Sequence, residues 1–350
     1  MFTFKRIRPM TALCFSDYEK ELAQQVSALG DQLDYALPGT LNLLDLNQYD
    51  RIVLAGMGSS DYALIPIERA LIAQGLPVWR IDAGRLLDMP KMVTPGTLLW
   101  ITSQSGMSGE VVAVLDAVAT PKTLIGVTND ITSLLAKKAD ILVELKSGDE
   151  ATVSAKSYLN TLVASYRTLY ALTGQDEKPL LAEVRAVLPQ VAGIIEQRDP
   201  VQQLTDRLFH HAKPRVALVG MGADAATALT GALIIKEASK VSAEGFIGGE
   251  FRHGPMETSG EGMLAVLFGD GSDVTLQTLA TDLLSNGTEV VTVGPVAYAH
   301  SQRWDTPGNS PLTRLLCAML WVQHLTVTLA RGNGMVPGEF LYGKKITDKI

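Results

Sequence analysis

The chain has 350 residues, 47% of them apolar, and its 30 lysines and arginines against 37 aspartates and glutamates give a formal charge of −7 at pH 7. This length and composition predict a folded protein with two domains of roughly 150 residues each rather than a disordered chain. The acidic balance argues against a general affinity for nucleic acid or for an anionic membrane, so an anionic ligand would need a locally built site.

Export, disulfide bonding and membrane insertion are not expected. Cys14 and Cys317 are far apart and lack partners at metal-ligand spacing, which argues against a disulfide framework or a zinc site. Met1–Ser16 lacks the apolar core of a secretory signal. Leu315–Ala330 is shorter than a membrane span and contains a glutamine and a histidine, so it is interpreted as a core helix. We therefore expect a cytoplasmic protein.

An internal repeat organises the chain. The segment Arg51-Ile-Val-Leu-Ala-Gly-Met-Gly58 recurs as Arg215-Val-Ala-Leu-Val-Gly-Met-Gly222. In each copy the apolar run predicts a buried parallel strand, the Gly-Met-Gly a tight turn, and the following segment a helix. Two copies of one fold explain the repeat.

The other predicted elements alternate between strands and helices, which is typical of parallel sheets covered by helices on both faces. In the first half they are a helical segment around Asp17–Leu33, strands Val78–Ile81, Leu98–Thr102, Thr123–Thr128 and Ile141–Leu145, helices at Ser108–Ala119 and near Leu134, and a long helix from about Thr152. In the second half they are helix Ala223–Ser239, strands Leu264–Phe268 and Val290–Val293, and a final helix with Ser310 as N-cap, Pro311 at N1 and Gly332 at C′. The predicted fold class is α/β, with two doubly wound parallel sheets in tandem, each a flavodoxin-like sandwich.

The segment Thr173–Pro179 interrupts this pattern, and a charged helical stretch follows it. We therefore divide the chain into a helical arm (1–45), a first α/β domain (46–175), a linker helix (176–198), a second α/β domain (199–332) and a carboxyl-terminal tail (333–350). The arm is a candidate for packing on a partner subunit.

Two loops of the first half are rich in hydroxyl groups. Gly56-Met-Gly-Ser-Ser60 follows one predicted strand, and Thr102-Ser-Gln-Ser-Gly-Met-Ser108 follows another and leads into a helix. Hydroxyl and amide donors at the start of a helix can bind a phosphate without lysine or arginine. The alternative for Ser59 and Ser60 is plain helix N-capping.

A dinucleotide site is a second interpretation of the glycine turns. Gly220–Ala225 fits the pattern G-x-G-x-x-A and is followed by the acidic residue Glu244, while Asp82 plays that part for the first copy. The pattern is short, and Gly56–Asp61 lacks the third small residue. The glycines are more simply explained by a sharp strand-to-helix turn.

Acid and base candidates cluster in the second half. His253 lies between a run of glycines and a proline, in a loop where general acid or base chemistry suits it. Glu237 follows Lys236 within a predicted helix, and its alternative is a surface carboxylate that pairs with a nearby lysine.

At these positions the chain resembles the tandem sugar isomerase (SIS) family, around the isomerase half of glucosamine-6-phosphate synthase, the amino-sugar-phosphate deaminases and the fructosamine-6-phosphate deglycases. The similarity spans about residues 50 to 347. The motifs that carry it are G-x-G-S-S at Gly56–Ser60, S-Q-S-G at Ser103–Gly106, a Lys-Ser-Tyr helix start at Lys156–Tyr158, K-E-x-S at Lys236–Ser239, A-E-x-F/Y-x-x-G-E-x-x-H-G-P at Ala243–Pro255, and a basic residue before the carboxyl end.

The resemblance implies roles for particular residues. The residues implied to bind the phosphate are Ser60, Ser103, Gln104, Ser105 and Ser108, and those implied to contact the sugar are Gly58, Ser59, Ser154 and Glu250. Glu237 would be the base that moves a proton between C1 and C2, and Lys344 or Lys345 of the tail would meet the carbonyl. His253 would open the sugar ring from the neighbouring subunit, which implies a homodimer with shared active sites.

Two departures leave the substrate open. Ile234 stands where the synthase has a lysine three residues before the base, and Met107 replaces the usual glutamate after S-Q-S-G. Because no glutaminase domain precedes the two halves, synthesis from glutamine is not expected. The leading hypothesis is an isomerase, deaminase or deglycase for a 6-phosphorylated amino sugar or fructosamine, without a metal or redox cofactor. The alternatives are a non-catalytic sugar-phosphate sensor and, third, an NAD-dependent oxidoreductase.

Overall fold

A computed structural model describes residues 15–196, 199–211 and 213–347. Cys14, nearly all of the Met1–Ser16 segment, the end of the predicted linker helix at 197–198 and the last three residues of the tail lie outside the described residues. The described chain contains two five-stranded sheets, and every paired strand is parallel to its neighbour.

The first half is built around one of these sheets. Its strands are β1 (Arg51–Gly56), β2 (Val78–Asp82), β3 (Thr97–Thr102), β4 (Thr123–Thr128) and β5 (Ile141–Glu144), in the order β2-β1-β3-β4-β5. Its helices are α1 (Asp17–Ala23), α2 (Gln25–Asp34), α3 (Ser59–Tyr62), α4 (Ile65–Ala73), α5 (Ala83–Asp88), α6 (Gly109–Ala117), α7 (Leu134–Lys138) and α8 (Lys156–Leu172).

The second half repeats the arrangement. Helices α9 (Lys178–Glu196) and α10 (Asp199–Leu208) lead into β6 (Arg215–Gly220), α11 (Ala225–Ser239), β7 (Ala243–Ile247), β8 (Met263–Phe268), α12 (Val274–Ser285), β9 (Glu289–Val293), β10 (Gln302–Trp304) and α13 (Pro311–Gly332). The strand order is β10-β9-β8-β6-β7, which is the order of the first sheet counted from the other edge. Both halves therefore have the flavodoxin-like order 2-1-3-4-5, and the predicted tandem α/β fold is confirmed.

The predicted strands agree with the structure to within one or two residues, whereas β7 and β10 were not predicted as strands. β10 has only three residues, and β7 contains Gly245 and is mostly exposed or half-buried, so neither shows a long apolar run. Gly245 is required by packing, since a Cβ there would lie 2.8 Å from the carbonyl oxygen of Ala228 on α11. Helices α5, α10 and α12 were also missed.

Helix α13 is the central helix of the second half. It is long and apolar enough to cross a membrane by length and composition, but 94% of its most apolar window is buried inside the protein. The interpretation of Leu315–Ala330 as a core helix is confirmed. Ser310 is the N-cap and accepts a hydrogen bond from the Thr313 N–H, as predicted, but Gly332 is the last helical residue rather than C′, because the helix ends at Asn333 as C-cap.

The amino-terminal helices pack on the first half of their own chain. The side-chain amide of Gln32 on α2 donates to the carbonyl oxygens of Glu144 and Leu145 at 2.9 and 3.1 Å. The side-chain amide of Asn160 on α8 donates in turn to the Ala28 carbonyl at 2.8 Å. Because these groups are buried, the hydrogen bonds fix α2 against the end of β5 and against α8. Contact of the arm with a partner subunit stays a prediction.

Candidate active site

The two hydroxyl-rich loops meet at the point where the strand order of the first sheet reverses. β1 and β3 are neighbours, and the chain leaves them toward opposite edges of the sheet, which opens a crevice beyond their carboxyl ends. A cavity of about 290 Å³ occupies this place. Its lining residues are Met57, Gly58, Ser59, Ser60, Ser103, Gln104, Ser105, Ser108, Thr152, Val153, Ser154, Ser157, Leu233, Glu237, Phe340, Lys344, Lys345 and Thr347.

The loop after β1 contributes the hydroxyl groups of Ser59 and Ser60, which form no hydrogen bond with any described residue. Gly58 is the N-cap of α3, and no side chain caps this helix, so the alternative interpretation of Ser59 and Ser60 as N-caps is wrong. Gly58 has a φ of 52°, and a Cβ on it would lie 3.1 Å from a methyl group of Leu233 on α11. Glycine therefore allows both the left-handed backbone and the close approach of the second half.

The loop after β3 is held by a hydrogen bond between one of its side chains and its own backbone. The Ser103 hydroxyl accepts a hydrogen bond from the Gly106 N–H at 3.1 Å and lies 3.5 Å from the Ser108 hydroxyl oxygen. Ser108 is the N-cap of α6 but makes no side-chain capping bond, so its hydroxyl remains available. The loop aims these hydroxyls and the positive end of α6 at one region, which is an arrangement that favours an anion.

The second half does not repeat this anion site. At the equivalent point, beyond β6 and β8, the loops carry Asp224, Asp270 and Asp273, and the hydroxyl of Ser272 donates to the Asp270 carboxylate at 2.6 Å. Asp224 is buried and pairs with Arg314 at 3.0 Å, while Asp273 caps α12 by accepting from the Leu276 N–H. Carboxylates at these positions repel an anionic ligand, so the described residues at this point of the second half do not favour a phosphate.

Glu237 enters the cavity from the second half. It lies one helical turn after Leu233 on α11, so both side chains point to the same side of the helix, toward the serine loops. Burial raises the pKa of the Glu237 carboxyl, and Lys345, Lys236 and Lys240 oppose that rise. Within the described residues Glu237 makes no ion pair, so its interpretation as a surface carboxylate paired with lysine is wrong.

Glu150 is a buried carboxylate of the site that the sequence did not reveal. Its side chain accepts hydrogen bonds from the backbone N–H groups of Ala155 and Ser157, both at 3.0 Å, and from the Ser157 hydroxyl at 2.6 Å. It also pairs with the Lys345 ammonium at 2.6 Å, although Lys345 is 195 residues away in the chain. Glu150 therefore joins the start of α8 to the carboxyl-terminal tail.

The tail closes one wall of the cavity. After α13 the Gly338 N–H donates to the Ala238 carbonyl at the end of α11, which carries the chain back across the second half. Lys344 and Lys345 then line the cavity, and the carbonyl of Thr347 accepts a hydrogen bond from the Gly109 N–H at 2.9 Å. The last described residue of the tail thus contacts the first turn of α6, beside Ser108.

Ser154 also lies where the resemblance implies, in the segment between β5 and α8. Its hydroxyl oxygen is 3.2 Å from that of Ser157, and both residues line the cavity. Helix α1 supports this segment, because the Glu21 carboxylate accepts hydrogen bonds from the Ala151 N–H and the Thr152 hydroxyl. The helical arm therefore helps to position the site.

Comparison with known proteins identifies the second half. Residues 208–294 match the family model of the SIS domain. Among curated relatives, it is 29% identical over 260 residues to the glutamine–fructose-6-phosphate aminotransferase (isomerizing) of Clostridium acetobutylicum, covering 71% of this chain and 41% of the relative. The corresponding protein of Pyrococcus horikoshii is 28% identical over 260 residues, covering 71% and 42%. The chain thus spans about two-fifths of the length of these relatives.

Solved structures are similar in fold to this chain over both of its halves. The C-terminal domain of the glucosamine-fructose-6-phosphate aminotransferase from Francisella tularensis superposes with a TM-score of 0.80 at 18% identity, covering 92% of this chain and 98% of that one. The glucosamine-6-phosphate deaminase of Thermotoga maritima gives 0.70 at 20% identity, covering 95% and 99%. The tagatose-6-phosphate ketose/aldose isomerase of Escherichia coli gives 0.73 at 20% identity, covering 95% and 96%. These superpositions show that both halves of the chain share the fold of these structures.

His253 and Glu250 lie outside the cavity of their own chain. Glu250 is exposed, and its carboxylate accepts a hydrogen bond from the Ile247 N–H at 2.9 Å. His253 is exposed in the turn that follows the 3-10 helix Gly248–Arg252. The structure therefore does not place these side chains beside Glu237 of the same chain, and a role for them in a partner's site stays a prediction.

The structure also locates the two residues that depart from the motifs of the resemblance. Ile234 is fully buried in the core, and Met107 is exposed at the mouth of the serine loop.

For the dinucleotide interpretation, Glu244 pairs with Ala217 in the register of β7 and β6, three residues before Gly220. Glu244 is therefore roughly 10 Å short of the strand end where a ribose-binding acid belongs.

Proposed function

We propose that this SIS protein is an enzyme that binds a sugar 6-phosphate and transfers a proton between its C1 and C2 carbons. The observation that carries the proposal is one cavity that joins the serine loops of the first half to the partly buried Glu237 of the second. The substrate class is a 6-phosphorylated amino sugar or fructosamine. The reaction is an isomerisation, a deamination or a deglycation through an enediol or enolamine.

The chemistry follows from the arrangement of the side chains. Ser60 and the loop Ser103–Ser108 hold the phosphate and Ser59 contacts the sugar, while Lys344 or Lys345 polarises the carbonyl. Glu237 removes a proton from one carbon and returns it to the neighbouring one. Where nitrogen is attached, this transfer turns a carbon–nitrogen single bond into an imine, which water hydrolyses to a carbonyl and an amine. A base in a partly desolvated pocket suits such a transfer, because its pKa moves toward the working pH.

Binding tests the phosphate site first. We expect a hexose 6-phosphate or amino-sugar 6-phosphate to raise the melting temperature, because a ligand that binds only the folded state stabilises it. The unphosphorylated sugar and NAD should give no shift. Ser60→Ala should weaken the sugar-phosphate affinity about tenfold or more, since its hydroxyl would donate to a charged oxygen.

Ser285→Ala is the matched control, because that hydroxyl lies on the exposed end of α12 and donates to the Asp282 carbonyl. It should leave the sugar-phosphate affinity unchanged. A thermal shift with NAD alone would overturn the proposal and favour the oxidoreductase.

A homodimer with shared active sites is part of the proposal, because His253 lies outside the cavity of its own chain. We expect Glu237→Gln and His253→Asn each to be inactive alone. Mixing the two variants under conditions of subunit exchange should restore about a quarter of the wild-type activity, because half of the dimers are mixed and each has one intact site. Recovery that fails although exchange is demonstrated by labelled subunits would argue that His253 does not act across an interface.

A sugar-phosphate sensor is the second candidate. It needs the serine loops but not the partly buried Glu237 between three lysines. Sugar-phosphate binding without turnover of any amino sugar phosphate or fructosamine phosphate would favour this sensor. The cytoplasmic location also stays a prediction.

A further inference from the structure

Tyr18 on α1 is a fully buried tyrosine whose hydroxyl group has no hydrogen-bond partner among the described residues. A buried polar group that protein atoms leave unpaired is costly, and a buried water is its usual partner. Burial and the nearby carboxylates of Glu150, Glu237 and Glu21 raise the pKa of this hydroxyl well above its ordinary value. Tyr18 therefore keeps its proton at neutral pH and acts as a donor toward these carboxylates.

Tyr18 lies behind the wall of the cavity. A Cβ on Gly338 would lie 2.5 Å from the Tyr18 Cβ and 3.4 Å from the Thr152 Cβ, so the tail meets both side chains at this point. Thr152 lines the cavity, and the Gly338 N–H donates to the carbonyl of Ala238, the residue after Glu237. The tyrosine is thus packed where the tail crosses from the end of α11 to the segment before α8.

Glu237 is an acceptor without a donor. Its carboxylate forms no hydrogen bond or ion pair with any described residue, so nothing among them fixes its orientation. The titratable groups that face it are Lys345 of the tail, Lys236 and Lys240 of its own helix, Tyr62 of α3 and Tyr18 of α1. Of the two tyrosines, Tyr18 is the one whose hydroxyl is buried without a partner. An unmet donor and an unmet acceptor therefore lie on neighbouring elements.

We propose that Tyr18 is a positioning residue of the reaction, and that its hydroxyl donates to the Glu237 carboxylate through one buried water. This inference rests on the proposed function, because it takes Glu237 as the base. The water accepts from the Tyr18 hydroxyl and donates to Glu237 and Glu150, so three groups hold it. The bridge orients the Glu237 carboxylate toward C1 and C2 and favours its ionised form, which is the form that accepts the proton.

Tyr18→Phe tests the inference, because it removes the hydroxyl and keeps the ring against the tail. We expect kcat to fall about tenfold with KM nearly unchanged, since a poorly aligned base reacts more slowly while the phosphate contacts persist. The acid limb of the pH profile of kcat/KM should move up by about one pH unit, because the hydrogen bond that favours ionised Glu237 is lost. A merely structural role would not move this limb.

Tyr166→Phe is the matched control. Tyr166 is also buried, but it lies on α8 and does not line the cavity, so its replacement should leave kcat and the pH profile unchanged. An unchanged acid limb in Tyr18→Phe, or an equal shift in Tyr166→Phe, would overturn the inference.

A measurement of stability against pH separates this inference from the proposed function, since it requires no turnover. Because burial penalises the ionised Glu237, Glu237→Gln should be more stable than the wild type until the pH falls to the folded pKa of this carboxyl. Urea unfolding with and without Tyr18→Phe locates the pH at which this advantage begins to fall. We expect that pH to rise by about one unit when the hydroxyl is removed.

The two results have different meanings. No rise in that pH would overturn the inference even if the protein is an active enzyme. A rise in a protein that turns over no sugar phosphate would confirm the bridge to Glu237 and overturn the proposed function instead.

Discussion

Glu237→Gln is expected to lower kcat by about 10³- to 10⁴-fold and to leave the dissociation constant for a sugar phosphate nearly unchanged. Glutamine keeps the size of the side chain but cannot accept the carbon-bound proton, so the contribution of the general base is lost. The phosphate contacts come from the first half and are not altered. The measurement is steady-state turnover, combined with calorimetric titration of the sugar phosphate.

The same substitution should make the protein more stable at neutral pH. Burial raises the pKa of Glu237 above its ordinary value, so ionisation costs free energy in the folded state and the wild type carries that cost above both pKa values. The neutral amide does not ionise. The stability advantage of Glu237→Gln should therefore disappear as the pH falls through the folded pKa toward the unfolded one.

Glu257→Gln is the matched control, because it changes an exposed carboxylate that does not line the cavity. The Glu257 variant should keep wild-type turnover and stability. Normal turnover in Glu237→Gln would show that another group is the base. A loss of both turnover and sugar-phosphate binding would show that Glu237 binds the ligand rather than acting as the base.

Glu150→Ala should have the second large effect, a loss of about 3 kcal/mol in the free energy of unfolding together with most of the activity. Removing one partner of a buried pair leaves Lys345 without its carboxylate and two backbone N–H groups at the start of α8 without acceptors. This carboxylate holds both the segment that contains Ser154 and the tail. Without it, these two walls of the cavity should become less ordered. Urea unfolding and kcat/KM measure the two effects.

Glu144→Ala is the control for this experiment. Its carboxylate pairs with Lys146 at 2.7 Å in the neighbouring segment, but the pair is partly exposed, so its loss should cost less than about 1 kcal/mol. Glu144 does not line the cavity, and turnover should persist. Equal stability losses for the Glu150 and Glu144 variants would contradict a buried role for Glu150.

The serine loops could be predicted because their signal is local. Each loop follows an apolar run that forms a strand, and parallel strands place their following loops at one edge of the sheet. Ser60 and Ser103 were therefore assigned from short segments, and both line the cavity. Glu237 was also predicted, but through resemblance, because a glutamate after a lysine in a helix is unremarkable by itself.

Glu150 could not be assigned in the same way. It precedes α8 in a loop of ordinary composition, and its partner Lys345 lies at the other end of the chain. The sequence likewise left Lys344 and Lys345 equivalent. The fold separates them, because Lys345 pairs with a buried carboxylate whereas Lys344 is exposed at the edge of the cavity.

The amino-acid sequence by itself determined the α/β class, the two copies of the fold and the position of the serine loops. These features depend on apolar periodicity and on turns, which involve residues close together in the chain. Only the tertiary structure decided that Leu233 and Glu237 face the loop at Gly58, that the tail closes the cavity, and that the second switch point is acidic. Such contacts join residues far apart in sequence, and packing between the two halves determines which of them meet.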